Sequence, residues 1–178
     1  MNRLIENLLD MTRLESGLIK PKLDWCDVND LIGAAVRKLG KELTGHELLV
    51  DVAPDAELVR ADYALMEQVL TNLLLNASLY TPAGSQIRVA CAQDGREFVL
   101  TVADNGPGLP VGSEEKVFGK FFRVPGTNTG GTGLGLSIAK GFVEAHKGTI
   151  TAERRKEGGT QFTIRLPLEP APEREPER

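Results

Sequence analysis

In the run NLLLNASLY, residues 72 to 80, two asparagines stand four apart among apolar residues. On a helix that spacing puts Asn72 and Asn76 on one face. Their carboxamide oxygens suit a hard cation such as Mg²⁺, which prefers oxygen ligands and keeps waters and substrate phosphates in its shell. An amphipathic helix with solvated amides accounts for the same residues. In DNGPGLP (104–110), Asp104 closes an alternating run and is followed by Gly106, Pro107 and Gly108. A strand-end carboxylate facing a pocket can accept from an exocyclic amine, yet ordinary turns use the same residue types. TGGTGLGLS (129–137) opens a helix. Glycines there let backbone N–H groups approach anions, and the helix dipole favours negative charge. The Lys and Ser/Thr of a P-loop are missing, and FFRVPGTNT is not the preceding strand that a dinucleotide fingerprint requires. A flexible hinge is the other reading. VFGKFFR holds three of the six phenylalanines, Phe118, Phe121 and Phe122, in a stretch rich in Gly and Pro. These rings are expected to anchor that stretch to the body or to form a small satellite core.

The elements that must position these groups follow from periodicity. Residues 2–16 carry Leu4, Ile5, Leu8, Leu9, Met11 and Leu14 at helical spacing, with Gly17 as a natural stop. Pro21 to Asp27 is extended, and Asp27 caps a helix bearing Leu31, Ile32, Ala35, Val36 and Leu39. Strands are expected at 46–53 and in ELVRA, and Asp62 caps a helix over about 63–80. On that helix Met66, Val69, Leu70, Leu73 and Ala77 share one face, while Gln68, Asn72, Asn76 and Leu79 lie on another. SQIRVACAQ and REFVLTVAD form a hairpin around Asp94-Gly95. A long loop, 105–133, leads to a helix over 134–146 and a last hairpin around Gly158-Gly159. This order predicts a two-layer α/β sandwich with a mixed, mostly antiparallel sheet.

With 178 residues, 41% of them hydrophobic, the chain is long enough for one domain with a real core. A net charge of -4 and scattered basic residues argue against nucleic acid as a partner. No apolar run nears the roughly 20 residues of a membrane helix. Cys26 and Cys91 lack metal-type spacing and are expected to be buried reduced thiols of a cytoplasmic protein. The tail PLEPAPEREPER reads as a disordered end.

Taken in order, N-x₃-N-A, D-x-G-x-G, the Phe-bearing loop, G-T-G-L-G-L and G-G-T-x-F resemble the ATP-binding catalytic domain of bacterial sensor histidine kinases, from about Trp25 to Pro167. LLDMTRLESG resembles the end of the second helix of that family's dimerisation domain. With KLDW and FFRVPGTNTGGTGLGLSIAKGFVEAH it looks most like the Kdp-type, potassium-responsive branch.

The resemblance implies a Bergerat-type fold divided as 1–20, a remnant of the dimerisation and phosphoacceptor hairpin; 21–168, the catalytic domain; and 169–178, the tail. It implies ATP and Mg²⁺ as cofactors, with Asn76 as metal ligand and Asn72 near the phosphates. Gyrase-like relatives carry a glutamate at the Asn72 position to activate water; an amide cannot take a proton, which suits transfer to a protein. Asp104 would accept from the adenine amine, with Gly106, Gly108 and Thr160 shaping its pocket and Tyr80 packing beside it. Residues 109–132 would be a lid, with Phe118, Phe121 and Phe122 as anchors and Arg123 as a phosphate contact. Gly131, Gly133 and Gly135, with Thr132 and Leu134 between them, would admit the phosphates to backbone N–H groups.

Two features depart from the family. Leu79 stands where Lys or Arg often reaches a phosphate. The phosphoacceptor histidine is absent, since His46 and His146 lie in the wrong contexts; it is expected on a helix upstream of Met1. Expected partners are the protein's own phosphoacceptor helices and a response-regulator receiver domain. The full-length protein is expected to be a membrane-anchored bacterial homodimer, and this piece a monomer unless its apolar stripe self-associates. A serine kinase of the anti-sigma type on the same fold is the alternative, as is a nucleotide-binding domain without transfer activity.

Overall fold

The structure, a computed structural model, describes residues 2–125 and 131–168. Helix α1, Arg3–Glu15, is capped by the Asn2 side chain, which accepts from the Leu4 N–H at 3.0 Å. Strand β1, Asp24–Asp27, leads into α2, Val28–Leu39, capped by Asp27 on the Asp30 N–H. Then come β2, Glu47–Val52, β3, Leu58–Ala61, and α3, Tyr63–Leu79, capped by Asp62 on the Leu65 N–H. Each of these three side-chain acceptors satisfies one of the donors a helix start leaves unpaired. Strands β4, Gln86–Asp94, and β5, Glu97–Asp104, form the hairpin that Gly95 turns at φ 62°. Helix α4, Gly135–Ala145, and the hairpin β6, Thr149–Arg154, and β7, Thr160–Pro167, complete the chain. The disordered tail expected at 169–178 lies outside the described residues.

The main sheet has the order β2-β4-β5-β7-β6; β2 runs parallel to β4 and every other pair is antiparallel. The mixed, mostly antiparallel two-layer sandwich is therefore as expected. Alternation puts Ile87, Val89 and Cys91 of β4, Phe98, Leu100 and Val102 of β5, and Phe162, Ile164 and Leu166 of β7 on one buried face. Helices α2, α3 and α4 pack side by side over that face. A second sheet pairs β1 with β3 antiparallel, in the register Asp24 with Ala61 and Asp27 with Leu58. Short strands of this length gave no sign in sequence of whom they would pair with.

The sequence wheel for α3 needs correction. Flanked by α2 and α4, it buries Thr71, Asn72 and Leu74 as well as Met66, Val69, Leu70, Leu73 and Ala77. It is a central helix with almost no solvated face, so solvated amides do not explain Asn72.

Helix α1 lies against α4. Met11 is buried, and Gly141 of α4 lets the Leu14 side chain come close: a Cβ there would lie 2.7 Å from Leu14 Cδ1 and would make that side chain shift. Lys120 pairs with Glu15 of the same helix. Ile5, Leu8 and Leu9 stay exposed, as does Leu4, which borders the cavity described below. Among the described residues no helix is long and apolar enough to cross a membrane.

Candidate functional site

One cavity of about 820 Å³ opens between α3, the end of β5, the start of α4 and the N-terminal turns of α1. That volume lies within the range of small-molecule sites.

At one pole stands Asp104, buried to 6% exposure at the end of β5. Its Oδ1 accepts two backbone N–H groups, from Gly106 at 3.0 Å and Thr160 at 3.2 Å. Its Oδ2 accepts no hydrogen bond among the described residues. Burial pushes this carboxyl above the ordinary carboxylate value, opposed by the two N–H groups and by the Arg155 charge. The Arg155 guanidinium also donates to the Asp104 carbonyl at 2.8 Å. The glycines around Asp104 are there for close approach. A Cβ on Gly106 would lie 2.5 Å from Thr81 Cγ2, and one on Gly108, at φ +82°, would lie 3.1 Å from the Gly159 carbonyl oxygen. DNGPG and GGT are thus two halves of one cradle. A carboxyl fixed through one oxygen, with the other free of hydrogen bonds at the cavity, is able to accept from an N–H donor.

At the other pole the glycine-rich run meets α3. Asn72 Nδ2 donates to the Gly135 carbonyl at 3.0 Å, and Asn72 Oδ1 accepts from Gln68 Nε2 at 3.1 Å. Both ends of that amide are committed to holding the start of α4 against α3. Asn76, one turn on, is half-buried and lines the cavity, with no hydrogen bond to its amide among the described residues. Gly131, Thr132, Gly133 and Gly135 also line it. Gly133, at φ +75°, lies so close to the lid that a Cβ would come within 2.7 Å of Phe121 Cα, and its carbonyl accepts from the Phe121 N–H at 2.8 Å. The start of α4 has no side-chain cap, leaving its first-turn N–H groups to whatever occupies the cavity.

The remaining predicted residues divide. Tyr80 and Thr160 line the cavity, and so does Leu79. Phe122 lines it from the lid, whereas Phe118 is buried below, edge-on to Phe162 with ring centroids 6.1 Å apart. Phe121 is no side-chain anchor: it is 63% exposed at φ 60°, and only its backbone is held. Leu134 is fully buried in the core rather than in the cavity wall, and Gly106 acts through Asp104. Arg123 is exposed and outside the cavity lining. The part of the expected lid at 126–130 lies outside the described residues.

Sequence reasoning missed Thr81, whose hydroxyl donates to the Ala77 carbonyl at 2.7 Å and meets His46 Nε2 at 2.8 Å. It also missed Arg3 and Asn7, which reach the cavity from α1. Their i, i+4 spacing is visible in the sequence, but the resemblance places residues 1–20 in another domain. His146 is structural: its Nδ1–H faces the Phe142 carbonyl at 2.7 Å and its Nε2 accepts from the Asp62 N–H at 3.0 Å.

A buried acceptor at one pole and a glycine-rich helix start at the other, spanned by an asparagine-bearing helix, define a nucleotide-site architecture. Residues 61–170 match the model of the histidine kinase-, DNA gyrase B- and HSP90-like ATPases, and the chain belongs to that family. Sensor protein KdpD of Escherichia coli (strain K12) is 40% identical, over 97% of this chain and 19% of that protein. The histidine-protein kinase AfsQ2 of Streptomyces coelicolor is 38% identical, over 97% of this chain and 31% of that one. The chain therefore spans less than a third of either relative. Among solved structures, the mycobacterial sensor histidine kinase MprB superposes with a TM-score of 0.73 at 28% identity, over 84% of this chain and 99% of that one. Full-length ShkA, in complex with AMPPNP, superposes at 0.80 with 26% identity, over 94% of this chain and 36% of that one.

Proposed function

We propose that this chain is the catalytic domain of a two-component sensor histidine kinase, binding ATP with Mg²⁺ and passing the γ-phosphoryl group to a histidine on a separate helix. The observation that carries the reading is Asp104, whose Oδ1 is fixed by two backbone N–H groups and whose Oδ2 is left for an adenine amine. From that pole the cavity runs along α3 to the glycine-rich start of α4, where backbone N–H groups meet phosphate.

The donor set fits Mg²⁺. Among the described residues no cluster of three His, Cys, Asp or Glu offers a complete metal site. Asn76 offers one amide oxygen in the cavity, and an ion that retains waters and takes substrate phosphate oxygens needs few protein ligands. When bound, the ion neutralises charge on the transferring phosphoryl group. Asn76 would hold it, Asn72 would hold the start of α4 in place, and Tyr80 would border the nucleoside. Asn72 offers no base for water, which favours transfer over hydrolysis.

Helix α1 would be the remnant of the hairpin that carries the histidine, and its outer residues Ile5 and Leu9, 54% and 61% exposed, would pack within a full-length homodimer. The response-regulator receiver domain would take the phosphoryl group next, and the full-length protein would be membrane-anchored. The relatives' names, a sensor protein and a signal transduction histidine-protein kinase, support the sensor-kinase reading; the dimer, the receiver and the membrane anchor rest on the resemblance of the sequence motifs to that family.

The test is binding of Mg·AMP-PNP by calorimetry, followed by incubation of radiolabelled ATP with a histidine-bearing hairpin. Loss of binding in Asn76→Ala and Asp104→Ala, together with acid-labile label on the hairpin, supports the assignment. Unchanged affinity in both variants would remove the site, and acid-stable label on serine would favour a serine kinase instead.

A further inference from the structure

We infer that α1 supplies part of the phosphate end of the nucleotide site, with Arg3 as its cation and Asn7 as a positioning residue. This rests on reading the cavity as a nucleotide site. A triphosphate needs positive charge beside it. Leu79, on the α3 side where a cation is expected, offers none. Among the described residues that line the cavity, Arg3 is the one Lys or Arg side chain.

Arg3 and Asn7 are one helical turn apart, so both point to the same side of α1. Asn7 fixes where that side lies. It is 3% exposed, lines the cavity, and its Nδ2 donates to Thr132 Oγ1 at 3.0 Å, within the glycine-rich run. Its Oδ1 is buried with no partner. Leaving such an acceptor unpaired is costly, and the neighbouring Thr132 hydroxyl is the group able to satisfy it. The Thr132 hydroxyl also accepts from the Leu134 N–H at 3.3 Å, so its own proton is available. If the amide turns over, that proton goes to Asn7 Oδ1 and the link to Thr132 is kept. The bond between α1 and Thr132 is thus kept in either setting of the amide, and Asn7 acts by seating α1 against the glycine-rich run.

Arg3 is held only loosely in its present place. Its Nη2 meets Glu42 Oε1 at 3.1 Å, and the two side chains are 48% and 37% exposed. An exposed pair of that kind contributes little, whereas a guanidinium on phosphate oxygens makes two parallel charge-assisted bonds. Exchange of Glu42 for phosphate is therefore favourable. It would couple nucleotide occupancy to the seating of α1, so that the helix leading from the phosphoacceptor hairpin is itself a wall of the ATP site.

The experiment is calorimetry on the 178-residue chain with Mg·AMP-PNP and, separately, adenosine. Arg3→Gln is expected to weaken triphosphate binding about tenfold, as loss of a charge-assisted contact does, and to leave adenosine affinity unchanged. Arg3→Lys should recover part of the loss. Asn7→Ala should weaken the triphosphate in the same selective way. Equal triphosphate affinity in Arg3→Gln and the parent chain would overturn the inference, as would tighter binding or an equal loss for adenosine. If the parent chain binds neither ligand, the nucleotide reading itself fails, a result distinct from a parent that binds and variants that match it.

Discussion

The Thr160 N–H donates to Asp104 Oδ1 at 3.2 Å, joining the start of β7 to the end of β5 across 56 residues of sequence. With the Gly106 N–H it fixes a carboxyl that burial has pushed upward. A carboxyl with a higher value in the folded than in the unfolded state takes up a proton on folding. Stability is therefore greatest below that interval, falls as pH rises through it, and at neutral pH bears the cost of the buried charge. Asp104→Asn keeps Oδ1 for both N–H groups and removes the charge. Its apo stability at pH 7 should rise, and the matching pH dependence should flatten, in denaturant titrations from pH 4 to pH 8. The same change sets an amide donor where Oδ2 stood, so adenosine affinity should drop roughly tenfold to a hundredfold. A variant that binds adenosine normally would detach Asp104 from base recognition.

Gly159 tests the cradle from the other side. At φ +95° it lies against Asp104 so closely that a Cβ would fall inside the Asp104 carbonyl group. Gly159→Ala should cost about 3 kcal/mol or more, since backbone has to move at a buried site. Gly112→Ala is the control: its φ is +83° but nothing lies within 4 Å of the added Cβ. That change should cost only about 1–2 kcal/mol of backbone strain. Equal shifts in melting midpoint for the two variants would show that φ alone accounts for the cost.

Much of this was legible in the sequence because it is local. Asp27 and Asp62 cap their helices through N–H groups three residues on, and the Asp94-Gly95 turn specifies its own hairpin. What was illegible depends on neighbours distant in the chain. A helical wheel cannot show that α3 is covered by both α2 and α4, so it leaves a solvated Asn72 open. Phe121 read as an anchor because its ring is apolar, yet the lid is held there by a backbone bond to Gly133. Arg3 and Asn7 carried no motif, and only the docking of α1 brings them to the cavity.

The Asn72 amide gives a prediction that separates holding from chemistry. It spans Gln68 Nε2 and the Gly135 carbonyl. Asn72→Ala leaves both partners unmet at a buried place and should cost about 1–3 kcal/mol. Asn72→Asp should cost more than Ala, because it keeps the Gln68 bond but turns a charged acceptor onto the Gly135 carbonyl. Hydrogen exchange at residues 131–136 should speed up in both. If Asp is milder than Ala, the Gly135 contact is not what Asn72 contributes.

The two thiols offer a check on the core that needs no ligand. Cys91 lies on the buried face of β4, and burial pushes it up to about 12, with Asp51 adding to the shift. Cys26 is also raised, by burial first, with its Sγ 3.4 Å from the Ala61 carbonyl oxygen. The thiolate is the reactive form, so raising the value from 9.0 to about 12 lowers the thiolate fraction at pH 8 by roughly a thousandfold. Steric burial adds to that. In the native chain at pH 8, iodoacetamide should label Cys91 at least that much more slowly than a free peptide thiol. Cys26, less strongly shifted, should react slowly as well but faster than Cys91. In guanidinium both should label at the peptide rate. Mass spectrometry of the digested chain distinguishes the two sites, and rapid native labelling of Cys91 would mean that β4 is not packed under the helices as described.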